Sequence, residues 1–213
     1  REERLDREVI AVGPAVDLER AGELGHAAFE NVGVGVKVDR DDAEERSDGS
    51  IYLDSSDLEL IKDSSTQLVG IRFNNVQLAR DSVIRTAYLQ FTCDEPTEEP
   101  TSLIITAEDA GNASRFNPDS HDLSSRTSTS AEVFWEPEPW KKVGDAKEPQ
   151  RTPDLAPLVR AVITRPDWKP GNSIAFLFSG SGKRTAAAFQ TENSPSPVLV
   201  VDAADTGSAE DKP

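Results

Sequence analysis

The chain predicts a mostly β protein, an antiparallel β-sandwich with one short amphipathic helix near 152–164. Three observations predict it. Val69-Gly70-Ile71-Arg72-Phe73-Asn74 and Ala87-Tyr88-Leu89-Gln90-Phe91-Thr92-Cys93 alternate apolar and polar residues at every second position, the period of a strand with one buried face. Turn-forming pieces such as Asp48-Gly49 and Asp94-Glu95-Pro96 punctuate the runs between them. Only one segment carries a clear helical period: Leu155, Leu158, Val159, Val162 and Ile163 recur at i, i+3, i+4, i+7 and i+8.

Residues 1–30 read as an N-terminal arm, in which Asp17 to Leu24 has helical character weakened by Gly22 and Gly25. Strands are expected at 32–38, 49–53, 58–61, 68–73, 83–93 and 102–108. In the last but one, Ala87, Leu89, Phe91 and Cys93 face inward and Tyr88, Gln90 and Thr92 outward. Residues 109–130 are rich in Ser, Asn, Asp and Thr without an apolar period, which gives a long loop of the kind that is functional or mobile. A short strand at 131–135 follows, and then Pro137 and Pro139 forbid regular pairing and leave Trp140 on a loop. Thr152 is expected as N-cap, with Pro153 at the first helical position and Asp154 at the positive helix end. The helix must stop before Pro166. Strands resume at 174–178, 185–190 and 198–202, so one domain spans 31–203, and 204–213 reads as a disordered tail.

The 213 residues suffice for one sandwich-sized domain with a sizeable core. A formal net charge of -16 excludes a nucleic-acid partner, which requires a basic face. No run approaches the roughly 18 to 20 apolar residues that a membrane-spanning helix needs, so no membrane insertion is expected. The chain starts at Arg1 and contains no methionine; it reads as a processed form or excised domain, with fused or neighbouring domains expected. One cysteine rules out an intrachain disulfide, and His26, Cys93 and His121 are too isolated for structural zinc. Hard oxygen ligands are the cation chemistry that remains.

The order of VGIRFNNVQL, DSVIRTAYLQF, a helix before DWKPGNSIAFLF, KRTAAAFQ and SPSPVLVVD resembles the DNRLRE-type carbohydrate-binding modules of secreted bacterial polysaccharide-degrading proteins. Arg72 and Phe73 occupy the first motif, Val83 to Phe91 the second, Trp168 to Gly171 the third, and Pro197 to Val201 the last, over about residues 38–203. The chain departs from the family in its DDAEE and SSDLEL blocks and in the loop around 112–126, so no binding residues carry across. The resemblance implies a jelly-roll winding, a secreted, extracellular or cell-surface setting, calcium, and no catalysis.

Asp39, Asp41, Asp42, Glu44 and Glu45 lie within seven residues, and Asp54, Asp57 and Glu59 follow. Like charges at 4 Å repel by about 1 kcal/mol even in water. A structural calcium, accepting about six to eight oxygens, would relieve that repulsion, and Asp42, Glu45, Asp57 and Glu59 are its candidates. The other reading is a solvated acidic loop partly neutralised by Arg40 and Arg46; the block lacks the regular Asp-x-Asp-x-Asp-Gly spacing of a dedicated calcium loop.

Sugar rings stack on flat aromatic side chains. Trp140, beside Lys141 and Lys142, is the first candidate, with Tyr88 and Trp135 behind it; core packing is the competing reading for Trp135, Trp140 and Trp168. Lys183, Arg184, Arg115 and Arg126 are candidates for a uronate or sulfate group, or for pairing with neighbouring carboxylates. His121 is a conceivable base, and Gly180-Ser181-Gly182-Lys183 is like the end of a phosphate loop without the glycine spacing or the following helix. Asn112-Ala113-Ser114 fits the N-glycosylation pattern, which matters only in a eukaryotic host. Two functions stay open: a polysaccharide-binding module, or a structural or adhesive cell-surface domain with a protein partner.

Overall fold

The computed structural model describes residues 30–35, 41–188 and 195–204; most of the expected N-terminal arm and C-terminal tail, together with Asp39, Arg40 and His26, lies outside them. The described chain is mostly β and antiparallel, as its periodicity requires. Twelve strands run in order: β1 (Glu30–Gly35), β2 (Asp42–Arg46), β3 (Ile51–Tyr52), β4 (Asp57–Leu60), β5 (Gln67–Phe73), β6 (Val83–Gln90), β7 (Cys93–Glu95), β8 (Ser102–Ala107), β9 (Val133–Trp135), β10 (Ile174–Ser181), β11 (Arg184–Ala187) and β12 (Val198–Ala204). One α-helix, α1 (Ala156–Ile163), precedes β10.

A six-stranded sheet, β3-β2-β5-β10-β8-β9, lies across a shared core from two three-stranded sheets, β1-β12-β6 and β4-β11-β7. Val69, Ile71 and Phe73 of β5, Leu103 and Ile105 of β8, and Phe176 and Phe178 of β10 face Leu58 and Leu60 of β4, Ala87 and Leu89 of β6, and Leu199 and Val201 of β12 in one apolar cluster. Burying that surface is the main stabilising contribution. Cys93 is buried with them, as its alternation predicts.

Helix α1 begins at Ala156, not directly after Thr152. The expected capping residues serve the strand beside them: the Leu89 N–H donates to Thr152 Oγ1 at 3.0 Å, and Asp154 Oδ1 accepts from both Ala87 N–H and Ala156 N–H, each at 2.9 Å. Segment 150–155 thereby satisfies the free edge of β6, and Leu155 N–H donates to the Ala87 carbonyl. Leu158, Val159, Val162 and Ile163 point into the core, the stripe the sequence predicts.

β2 departs most from the sequence reading. The acidic run read as a metal block or a solvated loop is a buried interior strand, paired with β3 on one side and β5 on the other. Its carboxylates have little strand propensity, but hydrogen bonding on both edges and packing on both faces override that weak preference.

Candidate functional site

Alternation along β2 decides where the acidic residues go. Asp42 and Glu44 stand opposite Ile71 and Val69, on the inner face, whereas Asp41, Ala43 and Glu45 lie on the outer one. The four calcium candidates therefore do not converge: Asp42 and Glu45 are on opposite faces of one strand, and Asp57 and Glu59 lie on β4 in another sheet. Among the described residues no group of three His, Cys, Asp or Glu side chains is arranged to hold a metal ion.

On the inner face, Glu44 Oε1 accepts from the Glu59 N–H at 2.9 Å. Burial pushes the Glu44 carboxyl up to about 8, and the neighbouring Glu59 and Asp57 carboxylates add to the rise. Burial followed by Asp57 also raises Glu59, while a hydrogen bond from Glu44 opposes that rise. The pair shares a proton held mainly by Glu44, so one of the two charges that would repel is absent near neutrality.

On the outer face, Glu45 Oε2 accepts from the Ser124 N–H at 2.8 Å, and Oε1 lies 3.4 Å from His121 Nδ1. Ser124 Oγ approaches that same nitrogen at 3.5 Å. A nucleophile relay needs the carboxylate and the hydroxyl on opposite ring nitrogens, so this trio forms no such relay and anchors the 109–130 loop to β2.

That loop is packed onto the sheet. Its Ala113, Phe116 and Leu123 are buried against Ala43 and Ala175 on the outer sheet face, above Gly70, where an added Cβ would stand 2.6 Å from Phe116 Cζ. Buried Arg72 bonds Asp41, Ser173 Oγ and the Ala113 carbonyl. Arg126 stacks on the Phe116 ring, its carbon 4.6 Å from the centroid, and pairs with Glu108 and Asp122. Arg126 is thus committed within the protein and is not free to meet a uronate.

The aromatic candidates separate in the same way. Trp140 sits on the predicted loop but is fully buried: its indole N–H donates to the Pro149 carbonyl at 2.8 Å, and its ring packs on Phe91 and Trp135. It offers no face to a sugar, although Lys141 and Lys142 beside it are exposed. Tyr88 faces outward but lies under the Arg151 guanidinium, 4.2 Å from its centroid. Arg184 is buried and donates to the carbonyls of Pro137, Glu138, Glu99 and Lys183 and to Thr101 Oγ1; it clamps three loops and cannot reach a ligand. Lys183 lies 3.5 Å from Glu95, at the edge of a shallow depression with Lys62, Asp63 and Thr97.

Gly180 to Lys183 does not form a phosphate loop. Gly182 takes φ 87°, its missing Cβ would fall 2.4 Å from the Pro100 carbonyl oxygen, and strand β11 follows where a helix would be needed.

One aromatic escaped the sequence reading. Phe134 is 63% exposed on edge strand β9. It stands opposite Ile104 of β8, which stands opposite Ser179 of β10, so the three make one row across three strands on the outer sheet face. Thr106 and Ser102 flank Ile104 along β8, and Ser181 pairs with Ser102. The signal was available: in Val133-Phe134-Trp135 strand alternation sends Phe134 away from the core that Trp135 enters. Protein-family models and curated proteins, compared with this chain, give no match.

Proposed function

We propose that this chain is a non-catalytic carbohydrate-binding module, wound as a jelly roll, that docks a larger secreted protein onto polysaccharide outside the cell. The observation that carries this reading is the outer face of the six-stranded sheet: one half is sealed by the 109–130 loop, and the other carries an exposed aromatic in a row with Ile104 and Ser179, next to the hydroxyls of Ser102 and Ser181. A rigid aromatic surface with a few convergent polar groups suits an extended polyhydroxyl ligand. The order of sequence motifs that resembles the DNRLRE-type modules supports the same reading.

The test is binding to a glycan array and depletion by insoluble polysaccharides, each with and without chelator. Retention on at least one polysaccharide is expected. Binding to none, with an intact melting transition, would sink the reading and favour an adhesive domain with a protein partner. In the chelator arm, a lower melting temperature would support a structural calcium, since a ligand held only by the folded state stabilises it by mass action; an unchanged curve would remove calcium from the proposal.

A further inference from the structure

We propose that the open row Ser179, Ile104 and Phe134 is the binding face itself and that its ligand is an uncharged polysaccharide chain, not a uronate or sulfated one. This rests on the carbohydrate-binding reading and adds the place and the chemistry. Phe134 is the most exposed of the large hydrophobic residues described and ends the row, with Ile104 one strand and Ser179 two strands inward of it, so the row spans about 10 Å at the usual inter-strand spacing. Ile104 is half-buried beside it, which gives the ring an apolar floor continuous with the sheet.

The polar groups around the row set the ligand's charge. Ser102, Ser179 and Ser181 on the same face are neutral hydroxyls that donate or accept hydrogen bonds, while Thr106 Oγ1 donates to Ser128 Oγ at 3.3 Å. The nearest ionisable neighbours along the chain are Glu132 and Glu136, two positions either side of Phe134 and both exposed. Carboxylates accept hydrogen bonds from sugar hydroxyls but repel carboxylate or sulfate groups. The net charge of -16 adds a long-range field of the same sign. Of the cations that could reverse that preference, Arg184 and Arg126 are turned inward, Lys183 pairs with Glu95, and the exposed Arg115, Lys141 and Lys142 lie outside the three strands of the row. A neutral polyhydroxyl chain complements a surface of aromatic ring, hydroxyls and acceptors.

The measurement is the affinity of the whole chain for soluble xyloglucan, galactomannan, laminarin and starch against alginate and polygalacturonate, by affinity electrophoresis and calorimetry at low and high salt. The wild type is expected to bind at least one neutral glycan with an affinity that salt leaves unchanged. Phe134→Ala is expected to weaken it at least tenfold, Ser179→Lys to weaken it similarly, and Tyr88→Ala to leave it unaltered, all with unchanged melting curves. If a neutral glycan is bound equally by the wild type and Phe134→Ala, the site is wrong while the module reading stands. Preference for the acidic glycans, or binding that collapses with salt, overturns the ligand class. Binding to none of the panel overturns both, as does a concentration-dependent dimer that Phe134→Ala abolishes, which would make the row a contact between two copies of the chain.

Discussion

Phe116 and Phe134 are the same side chain on the same outer face of one sheet, one 1% and the other 63% exposed. The first lies beneath Arg126 and over Gly70, inside a loop that closes its half of the sheet; the second stands on an edge strand with nothing of the described chain above it except solvent. Burial of a large aromatic is a gain that folding secures for itself, whereas an exposed one gives the fold almost nothing. The contrast separates what a residue does for stability from what it offers to a partner.

Truncating the covered half should have the largest effect. Phe116→Ala removes a buried ring and is expected to lower stability by about 3–5 kcal/mol, read as a shifted denaturation midpoint. Asp41→Ala should cost a similar amount, about 3–5 kcal/mol, because it strands the buried Arg72 charge that links β5 to the loop. If either variant melts like the wild type, the loop is not the seal that the packing describes.

The two faces of β2 give a second contrast, readable as pH dependence. Glu44 rises to about 8 in the folded chain from an ordinary value of 4.5. Below pH 4.5 both folded and unfolded chains hold the proton, and Glu44 costs nothing. Between 4.5 and 8 the unfolded chain releases it while the folded chain keeps it, so stability falls by up to about 1.4 kcal/mol per pH unit; above 8 the loss is complete. Glu59, raised in the same direction, adds to the fall. Glu44→Gln keeps an acceptor for the Glu59 N–H and loses the titration, so its stability should exceed that of the wild type at pH 8.5 and match it near pH 4. Parallel pH profiles for the two proteins would refute the shared proton.

Legibility in the sequence follows the range of the interaction that fixes each element. β5, β6 and the apolar stripe of α1 were readable because a period of two or of 3.6 is written locally. β2 was not: Asp42-Ala43-Glu44-Glu45-Arg46 has a loop's composition and becomes a strand only because β5, more than twenty residues on, supplies its partner. Trp140 lies on the predicted loop, and between its stacking and core readings composition does not choose; the fold selects the core, because a loop segment that bridges to Thr97 can bury its ring as fully as a strand does. Arg184 shows the same limit, since the carbonyls that hold it come from segments 46 to 85 residues away. The candidate site failed in the sequence for the matching reason: abundance of carboxylates and tryptophans drew attention to residues that the fold consumes, while Phe134 was visible only through which way its strand faced.

The smallest expected effect is the most telling about the open half. Phe134→Ser exchanges an exposed ring for a hydroxyl in a row that already holds Ser179, on a strand whose inward residues, Val133 and Trp135, are untouched. Stability should change by no more than about 0.5 kcal/mol, the range of surface substitutions, and the melting curve should overlay that of the wild type. A loss above about 2 kcal/mol would mean that some part of the chain packs on the ring and that the two halves of the face are alike. An unchanged melt leaves Phe134 with no return in folding, which is the condition that the proposed binding face sets for it.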